Sequence, residues 1–264
     1  MSAHFGGKLP AELSYQSVTL DNGVVALLLE GRTAASGPLL LALGPHHKVL
    51  WTRKRPLAGI VPGTHAVTLS RGPRGDVALF WFNEPSATVA TRMWDVEGGL
   101  LMDAQVMETD SCEALSVFFW PHHGWLVAAA RQSSLLVQLL GENGNRDFGA
   151  RGRTIATRWR AAGPVSIVAD TPDSVMLFHL GYLALSPNPT SGDHLFAHRY
   201  DAHGVPLWRG PLDAGRLPAR VHDESARVRT RHAGPGRVLA SLPAKVAGGH
   251  FKVEVRSAGS ADLR

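Results

Sequence analysis

The sequence predicts an all-β protein assembled from about five repeats of four antiparallel strands. Three observations carry that prediction. Short runs rich in Val, Leu, Phe and Trp fill the chain, and Gly, Pro, Asp, Asn and Ser separate them, as strands and turns do. The 28 glycines and 17 prolines supply enough turn residues for about twenty strands. The second strand of successive units centres near Leu40, Leu79, Val127, Leu177 and Val238, an irregular period of about 50 residues. Four strands at that period mark the blades of a β-propeller.

The elements follow in order. Residues 1–12 read as a flexible leader, and 13–264 as one domain. A strand at 15–20 ends in Asp21-Asn22-Gly23, where Asn-Gly supplies the positive φ of a tight hairpin. Strands at 24–30, 38–43 and 48–53 form the first unit, with a weak edge strand near 59–61. The second unit has strands at 65–70, 76–82, 88–95 and 100–107, joined by short turn-rich connections. The third has 114–120, 125–131, 135–140 and 154–158. The fourth has 165–169, 175–180, 195–200 and 205–209, with a long insertion at 181–193. The fifth has 226–230, 237–242 and 251–255 and lacks an obvious fourth strand. The strand at 15–20 is therefore expected to complete the fifth unit and close the ring, which removes two exposed edges. The rival fold is a β-sandwich plus a smaller β domain, with 181–193 as the linker.

One strand-then-turn element recurs: Met93-Trp-Asp-Val-Glu-Gly98, Leu140-Gly-Glu-Asn-Gly144, Tyr200-Asp-Ala-His-Gly204 and Val255-Arg-Ser-Ala-Gly259. It resembles the turn between third and fourth strands of degenerate bacterial β-propeller repeats. The resemblance covers most of the chain and implies a five-bladed propeller. It implies no particular activity.

Composition narrows the functional classes. Lys and Arg number 11 against 13 Asp and Glu in residues 1–150, but 16 against 9 in 151–264. The basic second half suits a nucleic acid, an anionic surface or an acidic partner. A single cysteine, Cys112, excludes an internal disulfide framework and reads as a small apolar filler. The N-terminus has no long apolar run, and no stretch is long enough to span a bilayer as a helix, so a cytoplasmic protein is expected. Nucleophile-elbow, phosphate-loop, zincin and Cys-x-x-Cys patterns are all missing.

The candidate site follows from the architecture. Propellers bind at the channel mouth where the innermost strands begin. In this phase the mouth holds Asp21-Asn22, Thr64-His65, residues 110–113, Gly163-Pro164 and His222-Asp223-Glu224. Glu113, Asp223 and Glu224 are the candidate catalytic carboxylates, suited to acid/base work on a glycosidic bond. His65 and His222 are candidate binding residues. Trp120 and Trp125 flank the Pro121-His122-His123 turn, where an exposed indole would stack on a sugar or anchor a partner. The pairs His46-His47 and His122-His123 read as solvated turns, because neighbouring strand residues point to opposite faces. No cofactor is expected, apart from a divalent cation as an option in the channel. Repeats without a catalytic motif favour a non-catalytic module that recruits a protein or glycan at one face. The alternatives are a glycan-active hydrolase or lyase using the mouth carboxylates, and a binder of nucleic acid or anionic surfaces.

Overall fold

A computed structural model describes residues 13–31, 38–54, 66–131, 134–156, 160–182, 194–217, 228–243 and 250–263. It contains five antiparallel four-stranded sheets, each built from strands consecutive in sequence. The first sheet is β1 (Leu13–Thr19), β2 (Val25–Gly31), β3 (Leu39–Leu43) and β4 (Val49–Lys54). The second is β5 (Val67–Arg71), β6 (Val77–Asn83), β7 (Thr88–Trp94) and β8 (Leu100–Glu108). The third is β9 (Ala114–Trp120), β10 (Gly124–Ala130), β11 (Ser134–Leu140) and β12 (Arg153–Ala156). The fourth is β13 (Arg160–Thr171), β14 (Ser174–Tyr182), β15 (His194–Asp201) and β16 (Leu212–Arg216). The fifth is β17 (Arg229–Gly234), β18 (Arg237–Pro243), β19 (His250–Arg256) and β20 (Ser260–Leu263).

Strand periodicity builds the packing. In β10, Trp125, Val127 and Ala129 join the core shared with the second sheet. Leu126, Ala128 and Ala130 of the same strand join the core shared with the fourth. All seven β10 residues are therefore buried, which is why the strand reads as a continuous apolar run. β6 behaves alike: Ala78, Phe80 and Phe82 face the third sheet, and Val77, Leu79 and Trp81 face the first. A further core joins the fourth and fifth sheets through Met176, Phe178, Val238 and Ala240. Each such aliphatic or aromatic side chain contributes about 1.5–3 kcal/mol by leaving water.

The N-terminal strand does not complete the fifth sheet. β1 pairs with β2 in seven-residue register through the Asp21-Asn22-Gly23 turn. β20 supplies the fifth sheet's fourth strand, pairing with Val253–Arg256. Closing a hairpin over a few residues costs far less chain entropy than pairing strands from opposite ends of the chain. No strand pairing joins the first and fifth sheets among the described residues. The fourth sheet also departs from expectation at 205–209. There only an isolated bridge links Tyr200 to Pro206, and pairing resumes at Leu212. Asp201 accepts bonds from the amides of His203 and Val205, which curls the chain outward before β16. The expected weak strand near 59–61 and the leader 1–12 lie outside the described residues.

The recurring turn has a packing role. Gly98, Gly144, Gly204 and Gly259 all adopt positive φ, between 71° and 87°. Each lies against a side chain from the preceding sheet: Trp51, Met102, Phe148 and Trp208 respectively. The contact is tightest at Gly204, where an added Cβ would stand 2.6 Å from the Phe148 ring. Indole N–H groups reinforce these seams. Trp51 donates to Val96 O at 2.9 Å, Trp125 to Arg71 O at 2.9 Å, Trp120 to Pro172 O at 2.8 Å and Trp208 to Ser257 O at 2.9 Å. One such bond therefore crosses each of the four interfaces between consecutive sheets.

Gly204→Ala is expected to destabilise by about 3 kcal/mol, from left-handed backbone strain plus the collision with Phe148. Gly149→Ala is the control, because its φ is 79° and nothing lies within 4 Å. It should cost only about 1 kcal/mol. Calorimetric melting should separate the two by several degrees. Equal losses would show that the ring contact contributes nothing.

Candidate functional site

A cavity of about 570 Å³ lies among the first strands of four sheets, with Val228 of the fifth at its edge. Its wall includes Ser17 of β1, Thr68 of β5, Ser116 of β9 and Ser166 of β13, with Val228 just before β17. Polar groups here stitch the innermost strands together. The Gln16 side chain donates to Val67 O at 2.8 Å and accepts from the Leu69 amide at 3.1 Å. The Thr68 hydroxyl donates to Leu115 O, and Ser166 and Thr230 share a bond at 3.1 Å. The described lining holds no carboxylate and no imidazole. Acid/base chemistry is thus not built into the described walls, and no group of three metal-ligating side chains occurs among the described residues.

Glu113 lies one residue before β9, at the end of the molecule where the first strands of the sheets begin. Its side chain is exposed, and its backbone amide donates to Ala130 O at 2.9 Å. The same connection is held from both neighbouring strand systems. The Thr109 amide donates to Ala87 O, its hydroxyl donates to Ser111 O at 2.7 Å, and Asp110 pairs with Arg131 at 2.5 Å. Glu113 therefore stands on a fixed backbone beside a paired arginine. Cys112 next to it is no nucleophile: burial pushes its thiol up to about 12, and its Sγ faces Ala114 O.

Several expected site residues fall elsewhere. Asp21 and Asn22 lie on the opposite face, because β1 and not β2 is the innermost strand; Asp21 pairs there with Arg71 at 2.6 Å. Trp120 and Trp125 are not exposed binding rings. They are 2% and 1% exposed, and their indole N–H groups serve the sheet interfaces. His123 packs at a tilt against Trp120 with ring centres 4.5 Å apart, while His46, His47 and His122 are exposed in turns. His65, His222, Asp223 and Glu224 lie outside the described residues.

The fourth sheet holds a cluster that sequence reading passed over. His194, Phe196, His198 and Tyr200 alternate along one face of β15, and His179 of β14 joins them. His179 and His198 are buried, with Nε2 atoms 3.0 Å apart. Nδ1 of His179 faces Leu180 O at 3.1 Å, so that nitrogen carries the proton and Nε2 accepts from His198. The 3.0 Å spacing is a hydrogen bond, shorter than the roughly 3.3 Å that a tetrahedral zinc ion imposes on two nitrogens. Burial pushes His179 down to about 4 and His198 to about 3, the latter also disfavoured by its neighbour's charge. The pair is neutral at pH 7 and links two strands inside the interface with the third sheet. The visible signal was the period-two alternation of His, Phe, His and Tyr.

No family model and no curated protein matches the sequence. Solved structures do. The polysaccharide lyase Uly1 matches 98% of this chain and 73% of its own, with TM-score 0.56 and 10% identity. Drosophila Semaphorin 1b, extracellular domains 1–2, matches 93% of this chain with TM-score 0.50 and 10% identity. The β-propeller domain of the trilobed protease from Pyrococcus furiosus matches 95% of this chain and 84% of its own, at TM-score 0.45 and 12% identity. The chain spans about half the length of the semaphorin and plexin-complex chains that it matches. At these identities the likeness to the lyase and the semaphorin establishes a shared fold. It also overturns the expectation of a non-catalytic module. That expectation took repeat architecture without a motif as the mark of a scaffold, and a polysaccharide lyase has this same architecture.

The histidine pair sets a pH dependence. An unfolded histidine takes up a proton near pH 6.5, whereas the folded pair resists until about 4 and about 3. The unfolded state therefore binds more protons in that window. The pair's contribution is fully present above 6.5 and is lost progressively as pH falls from there through the folded values of about 4 and about 3. The melting temperature should drop between pH 7 and pH 4, and less steeply in His179→Gln/His198→Gln. Identical slopes in the two proteins would refute the assignment.

Proposed function

We propose that the five sheets are blades of one β-propeller and that the chain is a carbohydrate-active enzyme, a hydrolase or lyase that cleaves a glycan at the channel mouth. The fold shared with a polysaccharide lyase over 98% of this chain is the observation that carries the reading. The placement of Glu113 supports it: an exposed carboxylate on a pinned connection, at the start of an innermost strand. In this reading Glu113 is the acid/base group, and for hydrolysis Asp223 or Glu224 is the second carboxylate that such cleavage takes. His65 and His222 contact the sugar. The hydroxyl-bearing channel wall behind the mouth is uncharged, which suits binding of a neutral part of the glycan.

Glu113→Gln tests the role directly. The substitution keeps shape and exposure, so the melting temperature should stay within a degree or so, because changes at exposed sites are usually small. Release of reducing ends from a responsive glycan should fall by about 100-fold or more. A product with a new ultraviolet-absorbing double bond would mark elimination, and reducing ends alone would mark hydrolysis. Unchanged turnover in the variant would remove Glu113 from the mechanism.

A further inference from the structure

The fifth sheet has two unlike faces. One packs on the fourth sheet through Val238, Ala240, Leu242, Val253 and Val255. The other carries Arg229 and Arg231 on β17, Arg237 on β18, and Lys252 and Arg256 on β19. Strand register places all five on one face: Arg229 opposite Ser241, Ser241 opposite Lys252, Arg231 opposite Leu239, and Arg237 opposite Arg256. All five are exposed. Strand register puts two carboxylates on this face: Glu254, buried between Arg237 at 3.6 Å and Arg256 at 3.7 Å, and Asp262 opposite it on β20.

We infer that this face binds an acidic polysaccharide and leads it to the channel mouth, so that the substrate class is an anionic glycan. The inference rests on the glycan-active reading and narrows it. β17 is the fifth sheet's innermost strand, so Arg229 and Arg231 flank the channel beside Val228. The cationic track runs outward from there across three strands. Cations two residues apart on a strand are spaced by about 7 Å, and two strands apart by about 10 Å. Arg237 and Arg256, directly opposite on neighbouring strands, stand about 5 Å apart, and spacings of this order suit a polymer with one carboxylate per sugar or per pair of sugars. By register the described face carries no Phe, Tyr or Trp on which single-stranded bases would stack. An acidic sugar additionally carries the carboxylate that elimination needs beside the proton it removes.

The test is binding, which is independent of turnover. Isothermal titration of the full chain with polygalacturonate, with its methyl ester and with duplex DNA compares charge, backbone and polymer class. The charged polyuronate should bind, weaken steeply with added salt, and lose at least tenfold in affinity in Arg229→Ser/Arg231→Ser/Lys252→Ser at unchanged melting temperature. The methyl ester should bind at least tenfold more weakly than the acid. Equal binding of acid and ester, wild-type affinity in the triple variant, or tighter binding of DNA would each overturn the proposal. Binding without cleavage of any acidic glycan would leave this surface standing and sink the enzymatic reading instead.

Discussion

Between each pair of consecutive sheets, an indole N–H of one sheet reaches a turn carbonyl of the other. At the same end of the molecule, a turn glycine at positive φ accepts a side chain from the preceding sheet. Among the described residues the sheets share no strand pairing, so this contact and the apolar cores decide how one sheet is set against the next. A side chain larger than hydrogen at Gly98 or Gly204 would push back the Trp51 or Phe148 ring and open the seam. Each indole bond contributes about 1 kcal/mol, but its direction specifies the setting in a way that apolar area does not.

This locking is confined to one face, that of the β1–β2, β7–β8, β15–β16 and similar turns. The opposite face is where innermost strands begin and where Glu113, Asp110 and Arg131 stand. Gln16, Thr68 and Ser166 stitch the wall between the two faces, and the proposed chemistry belongs to the face opposite the locked turns. Sites on connections held by a rigid scaffold are the ordinary arrangement. The buried His179–His198 pair belongs to the scaffold, since both rings are sealed between sheets.

The repeat was legible because its turns demand particular residues. Gly98, Gly144, Gly204 and Gly259 stand out in sequence because each turn needs positive φ, and at Gly98 and Gly204 a neighbouring ring also leaves no room for a Cβ. The strands were legible because both faces of the middle sheets are buried, which leaves unbroken apolar runs such as Trp125–Ala130. The start and end of the chain were misread. Ser260-Ala-Asp-Leu263 is too short and polar to look like a strand, yet β19 gives it four partners. Assigning β1 to the far sheet then shifted the phase of the first repeat and put Asp21 on the wrong face. The tryptophans beside the Pro121-His122-His123 turn were misread because a turn looks wet in sequence, while the neighbouring sheet covers Trp120 and Trp125. The histidine pair depends on the register of β14 with β15, which spacing along one strand does not reveal.

Charge completes the account. Five of the sixteen Lys and Arg of residues 151–264, scattered along the sequence, share one face of the fifth sheet once register is imposed. Its inner margin borders the channel whose mouth carries Glu113. The most direct measurement is a crystal structure with an acidic oligosaccharide bound. The account predicts sugar across the mouth where innermost strands begin, with a carboxylate against Arg229 or Arg231 and a glycosidic oxygen within hydrogen-bond reach of Glu113. Sugar seated on the opposite face, among the tryptophan-locked turns, would contradict it.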